Sequence, residues 1–194
     1  MNIGIVACGA IAFEIAAIAE QNGLDLTIYP LPPLLHNHPE KIAGEVDRLL
    51  YEMVDKHSKC AVAYADCGTY GALDIVLKAH NVKRLTGNHC YDVFAGKARV
   101  EKLMVDNAGT YFLTDYLVKS FYRSVVVELG LDRRPELRDD YFKNYSKVIW
   151  LAQTPTPELE IAARAAADLL QLPLEVEIVG HGGLTAQILT LVGS

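Results

Sequence analysis

Three of the four cysteines in this chain stand where an apolar run gives out: Cys8 in VACGA, Cys67 in ADCGT and Cys90 in GNHCY. A thiolate is both a nucleophile and a soft metal ligand. Three of them brought together would suit a zinc ion or a [4Fe-4S] cluster. Set against this, free cysteine is among the most buried residue types, and each could be a small core side chain. Cys60, at the start of KCAVAY, takes that second reading. The spacing itself is not diagnostic, because no CxxC pair occurs. The metal reading therefore rests on where the fold would place Cys8, Cys67 and Cys90.

Other polar residues crowd the same segments. His89 adjoins Cys90, and His36, Asn37, His38 and Glu40 lie together in LPPLLHNHPEKI. His36 or His89 would complete or support a three-cysteine centre, and Asp66 would orient a ligand or move a proton. The alternatives are a loop histidine for His89, a helix cap for Asn37 or His38, and a turn acid for Asp66. Gly9 and Gly68 allow the backbone close to a ligand, and the CGTYG loop offers N–H groups to an anion. Gly9, Gly68 and Asn37 are thus the candidate cofactor contacts, and Asp66, His36 and His89 the candidate catalytic groups. His181, in GHGGL, would join from the far end of the chain. Tyr64, Tyr70 and Tyr91 flank the cysteines in sequence. Arg133, Arg134 and Arg138 read better as a solvated helix face than as an anion clamp.

The elements that must position these groups alternate. NIGIVAC, LDLTIYPL, KCAVAYAD, TYFLTD, KVIWLAQT and LEVEIVG read as strands, and VKRLTG as a weak one. Helical spacing follows Cys8, recurs from Pro39, and covers ALDIVLKAH, DVFAGKARVEKLM, YLVKSFYRSVVVELG, a short polar RPELRDDYFKNY helix, the run opened by Thr156-Pro157, and a last helix from HGGLTAQI. Strands alternating with helices predict an α/β fold, Rossmann-like, with a mostly parallel sheet and helices on both faces. A single domain over 1–194 is expected, with possible halves 1–107 and 108–194. In such sheets ligands bind beyond the carboxyl ends of the strands, the edge at which Cys8, Cys67 and Cys90 fall. Cys60 falls at the opposite edge.

The bulk properties exclude several classes. The chain has 194 residues, 51% of them hydrophobic, and a net charge of −6. That fits a folded globular protein and argues against a nucleic-acid partner or a membrane surface. No cationic leader and no apolar run long enough to span a bilayer is visible, so a cytoplasmic protein is expected. G-x-G-x-x-G, the Walker loop and G-x-S-x-G are all missing, which removes dinucleotide, P-loop and serine-hydrolase readings.

The blocks CGAIAFEI, LPPLLHNHPEKI, YADCGTYGALD, GNHCYDVFAG, FLTDYLV, LGLDRRPELRDDYF and VIWLAQT together resemble an uncharacterised family, domain of unknown function 1638. The resemblance covers nearly the whole chain. It implies a link to corrinoid-dependent methyltransferase systems, and hence to one-carbon metabolism, with a corrinoid protein or methyltransferase as partner. Joined to the cysteines, it suggests a metal-thiolate enzyme or accessory protein in methyl transfer, acting on a small-molecule substrate. A non-redox [4Fe-4S] enzyme and a non-catalytic metal or corrinoid carrier are the alternatives.

Overall fold

The computed structural model describes residues 2–193. Two compact units form, Met1–Val93 with His181–Ser194, and Phe94–Gly180. Each is built on a three-stranded parallel sheet, in a Rossmann-like α/β arrangement.

In the first unit the order is β2-β1-β3, with β1 at Ile3–Cys8, β2 at Leu26–Leu31 and β3 at Lys59–Ala63. Helices α1 (Ala12–Gln21) and α2 (Pro39–Met53) make the crossovers. Every residue of β1 is buried, as a central strand covered on both faces must be. The register sets Cys8 opposite Leu31 and Ala7 opposite both Pro30 and Ala63. The carboxyl ends of the three strands therefore lie level. Helix α3 (Ala72–His80) packs on α2, and the closing helix α9 (Gly182–Gly193) packs on α1 and β3.

The weak strand expected in VKRLTG is reduced to one bridge, Val62 to Arg84. Leu85 is buried beside β3, but the ladder stops at Thr86. There the side chain of Gln187 from α9 accepts the Thr86 N–H at 2.7 Å, so a helix side chain takes the bond a next strand would have used. The helix expected across DVFAGKARVEKLM is likewise two helices, α4 (Cys90–Ala95) and α5 (Lys97–Asp106). Gly96, at φ +83, breaks it between them.

The second unit orders β4 (Thr110–Thr114), β5 (Lys147–Ala152) and β6 (Leu174–Ile178) in sequence. Helix α6 (Asp115–Phe121) and the short α7 (Leu137–Phe142) join β4 to β5, and α8 (Pro157–Leu170) joins β5 to β6. Thr156 caps α8 by accepting the Leu159 N–H, with Pro157 in the first turn, as its sequence predicts. Helix α6 widens into a π-helical turn over Tyr122–Val127. Ser120 and Ser124 each donate back to the carbonyl four residues earlier, which loosens the regular ladder at that point. The core gathers around Trp150, with Leu113, Phe121, Val148 and Ala163. The buried carboxylate of Asp115 accepts from Trp150 Nε1 at 2.9 Å and from the backbone N–H groups of Gln153 and Thr154. Among the described residues no helix is long and apolar enough to cross a membrane.

Candidate functional site

The first unit carries the cysteine-rich edge. Cys8 is the last residue of β1 and is 2% exposed. The next residue must be glycine: a Cβ on Gly9 would lie 2.4 Å from the Leu31 carbonyl oxygen and 2.8 Å from Pro33 Cδ. That close approach lets the 3₁₀ turn Pro33–Asn37 lie directly over the end of β1. It delivers His36, whose two ring nitrogens are each 3.8 Å from Cys8 Sγ. His36 Nδ1 is 3.0 Å from the Pro33 carbonyl, and the ring stacks on Tyr64 at 5.8 Å.

Cys67 sits in a loop held against its backbone preferences. Cys67 and Tyr70 both adopt φ +50, each followed by a glycine of positive φ, Gly68 at +83 and Gly71 at +86. Left-handed backbone at a side chain with a Cβ costs on the order of 1 kcal/mol and persists only where its surroundings enforce it. Asp66 enforces it. Its carboxylate accepts from Thr69 Oγ1 at 2.8 Å and from the N–H groups of Tyr70 and Gly71 at 3.1 Å. Burial opposes its charge, but these three donors outweigh that and hold its carboxyl below the usual range.

Cys90 opens α4, and its approach is also braced. Gly87, at φ +120, turns the chain where a Cβ would meet Asp92 Cβ at 2.8 Å. Asp92, 5% exposed, accepts from the N–H groups of Asn88 at 2.7 Å and His89 at 3.3 Å. The two cysteine loops are joined by backbone bonds, Asp66 N–H to Gly87 O at 3.1 Å and Cys67 N–H to Asn88 O at 2.8 Å. Arg84 donates to the carbonyls of Leu85 and Gly87 while forking onto Asp74.

The electrostatics reflect how near these groups stand to one another. Burial pushes the Cys90 thiol up, and the charges of Cys67 and Cys8 add to it; N–H groups at the start of α4 pull back without prevailing. Burial also raises the Tyr64 phenol, followed by Cys8, Cys67 and Cys90. For His36, burial works against the charged form, but Cys67 and Cys8 outweigh it and raise the imidazole. Cys8, Cys67, Cys90, His36 and Tyr64 therefore form one interacting group. As the side chains stand, no three His, Cys, Asp or Glu residues among those described are arranged to hold a metal ion.

Tyr64 follows β3 and is 0% exposed, yet its hydroxyl has no hydrogen-bond partner among the described residues. Its sequence signal was thin: an aromatic with a polar tip just past a strand, three residues before Cys67. Arg84 and Asp92, which brace the loops, carry no motif at all.

The remaining sequence candidates fall elsewhere. His89 is exposed and stacks on Tyr91 at 6.0 Å. Asn37 is exposed. His38 pairs with Glu40 at 3.5 Å and stands at the start of α2 without a side-chain capping bond. Gly68 lies against Pro39, 3.4 Å from where its Cβ would be. Cys60 is half-buried at the amino end of β3 and its thiol is raised by burial. His181 immediately precedes α9, in the same unit as the cysteines.

No curated protein and no solved structure matches the chain. One family model does, described as protein of unknown function (DUF1638), over residues 30–187. That span takes in His36, Cys67 and Cys90 and most of both units, and the chain belongs to this family.

Proposed function

We propose that Cys8, Cys67 and Cys90 form a metal–thiolate centre that binds and activates a thiol substrate for methyl transfer, with zinc as the metal. The observation that carries the proposal is the surroundings of Tyr64: a fully buried hydroxyl with no nitrogen or oxygen partner among the described residues, beside His36 and close to Cys8, Cys67 and Cys90. A buried polar atom without a partner is costly, and sites keep such atoms for an occupant. Three sulfurs with a nearby imidazole are a zinc donor set.

When bound, zinc would supply Lewis acidity that deprotonates a coordinated thiol. The protein's own residues do the rest. His36, whose charged form Cys67 and Cys8 favour, lies 3.8 Å from Cys8 Sγ and balances thiolate charge at the centre, while the proton of the incoming thiol leaves to solvent. The Tyr64 hydroxyl donates to the substrate's polar group and orients it. Asp66 and Asp92 hold the two loops and touch neither substrate nor proton. Methyl transfer is the reaction to try first because the sequence resemblance implies a link to corrinoid-dependent methyltransferases; a corrinoid protein or methyltransferase would be the corresponding partner. The contact of Cys8 with His36 favours a second, metal-free reading: a thiolate–imidazolium nucleophile.

Metal analysis and a visible spectrum on protein purified without oxygen separate these readings. About one zinc per chain and no colour supports the proposal. About four irons with broad absorbance near 400 nm refutes zinc in favour of a cubane enzyme. No metal, with rapid alkylation of Cys8 at neutral pH, favours the nucleophile. Cys8→Ser, Cys67→Ser and Cys90→Ser should each abolish metal retention, whereas Cys60→Ser should keep it; metal retained in all three refutes the site.

A further inference from the structure

At the amino end of β3, opposite the cysteines, the first unit has a cavity of about 490 Å³. Lys59, Lys78, Lys83, His57 and His80 line it, and the rest of the lining is uncharged. Among the described residues no carboxylate lines it, although the chain as a whole has 24 acidic residues against 18 basic ones. The five cationic or basic groups differ in how they are engaged. His80 bonds Asp47 at 2.6 Å, and His57 bonds the Tyr29 hydroxyl and Asn2 Oδ1, each at 2.8 Å. Lys59 Nζ donates to the carbonyls of Leu191 and Val192 in the last turn of α9. Lys78 and Lys83 are exposed and have no ion-pair partner among the described residues. Burial and the charge of Lys83 push the Lys59 ammonium down, so these two cations repel across the cavity.

We propose that this cavity binds a small organic anion carrying at least two phosphate or carboxylate charges, clasped by Lys78 and Lys83 with Lys59 beneath. Such a ligand would relieve the repulsion between Lys59 and Lys83, and charge-assisted bonds from lysine are the strong ones in a partly desolvated pocket. The volume suits a metabolite-sized anion. Lysines near the ends of α3 and α9 also complement the helix dipoles, a purely structural role that predicts no ligand.

Calorimetric titration with pyrophosphate and with citrate, at constant ionic strength with chloride as reference, decides between these roles. Binding of pyrophosphate alone identifies a phosphate ligand, and binding of citrate alone a polycarboxylate. In either case the double variant Lys78→Gln/Lys83→Gln should weaken affinity by at least about tenfold. Lys83→Arg should retain most of it, and Cys8→Ser should leave it unchanged, which keeps this site apart from the cysteine edge. Neither probe binding above chloride, or equal binding in the double variant, overturns the proposal.

Discussion

Tyr64→Phe should stabilise the metal-free protein. The hydroxyl is fully buried and has no partner among the described residues, so the folded state bears its desolvation without compensation. That penalty is about 1–3 kcal/mol. Two effects reduce the gain. The vacated hydroxyl leaves a void of about 12 Å³, worth about 0.3 kcal/mol at about 24 cal/mol per Å³. The nearby Cys8 sulfur is a weak acceptor and supplies a little of the missing bond. The net expectation is about 1 kcal/mol of added stability, or a melting temperature higher by about 2–4 °C. The assay is urea unfolding followed by far-ultraviolet circular dichroism, with calorimetry beside it. Fluorescence is unsuitable, because the single tryptophan, Trp150, belongs to the other unit. An unchanged urea slope would assign the shift in midpoint to stability alone. The same variant should bind metal or substrate less tightly, since the removed donor is the one an occupant would use. A variant less stable than the parent by 0.5 kcal/mol or more, as an order-of-magnitude threshold for a surface-like change, would mean the hydroxyl is bonded and would remove the main support for an occupied site.

Gly9→Ala should destabilise by about 1–3 kcal/mol, because the added methyl meets a backbone carbonyl and a proline ring that cannot both move; a chemical denaturation midpoint within error of the parent refutes this. Asp115→Ala should cost at least about 3 kcal/mol by stranding Trp150 Nε1 and two backbone N–H groups, read directly as a changed Trp150 emission and an earlier midpoint. Asp66 has a carboxyl held low in the folded state, so its contribution is present above the unfolded value near 3.8 and is lost as pH falls through the lower folded value. Asp66→Asn should therefore flatten the acid limb of the stability profile below about pH 4, measured by midpoints at a series of pH values; an unchanged limb would show that the loop does not depend on the charge.

The fold was legible where one principle dominated. Five of the six strands stand out as apolar runs and β6, LEVEI, as an alternating one, and Pro39 and Thr156-Pro157 mark their helices because a proline fits the first turn and a threonine caps it. The places that differ are those where a distant residue decides. VKRLTG has the composition of a strand, but only the Val62–Arg84 bridge forms, and on its other side Gln187, about a hundred residues on, takes the Thr86 N–H that a next strand would have used. Gly96 lies within a helical pattern that does not reveal which side of the break each half joins. At the site, the end-of-strand rule puts Cys8 where β1 ends, but β3 stops at Ala63, before Cys67, and Cys90 opens α4, because the loops past the strands are shaped by distant hydrogen bonds. It missed the function of Asp66 as the residue that holds Cys67 in a left-handed conformation, since an acid before a cysteine and a glycine reads equally as a turn or as a catalytic group. It missed Arg84 and Asp92 because their hydrogen bonds are to backbone groups, which leave no trace in residue type.

The way the cysteine loops are held bears on how the site can be tested. Among the described residues, the loops are held chiefly by a carboxylate, an arginine or the backbone: Asp66 to its own turn, Asp92 to Asn88 and His89, Arg84 to Leu85 and Gly87, and the Cys67 and Asp66 N–H groups to the facing loop. None of these depends on a sulfur. A cysteine-to-serine change therefore removes a thiolate while leaving the loop's scaffold in place, and the cost to folding should stay near the roughly 1 kcal/mol typical of a single substitution. The strain at Cys67 points the same way. A left-handed cysteine is not needed to close this turn, since glycine at that position would close it with less strain, so the carboxylate of Asp66 is maintaining a costly backbone for the sake of the side chain it presents. Cys67→Gly should then be more stable than Cys67→Ser in the metal-free protein, and equally unable to retain metal. If instead the glycine variant is the less stable of the two, the thiol contributes to the fold, and Cys67 is a packing residue.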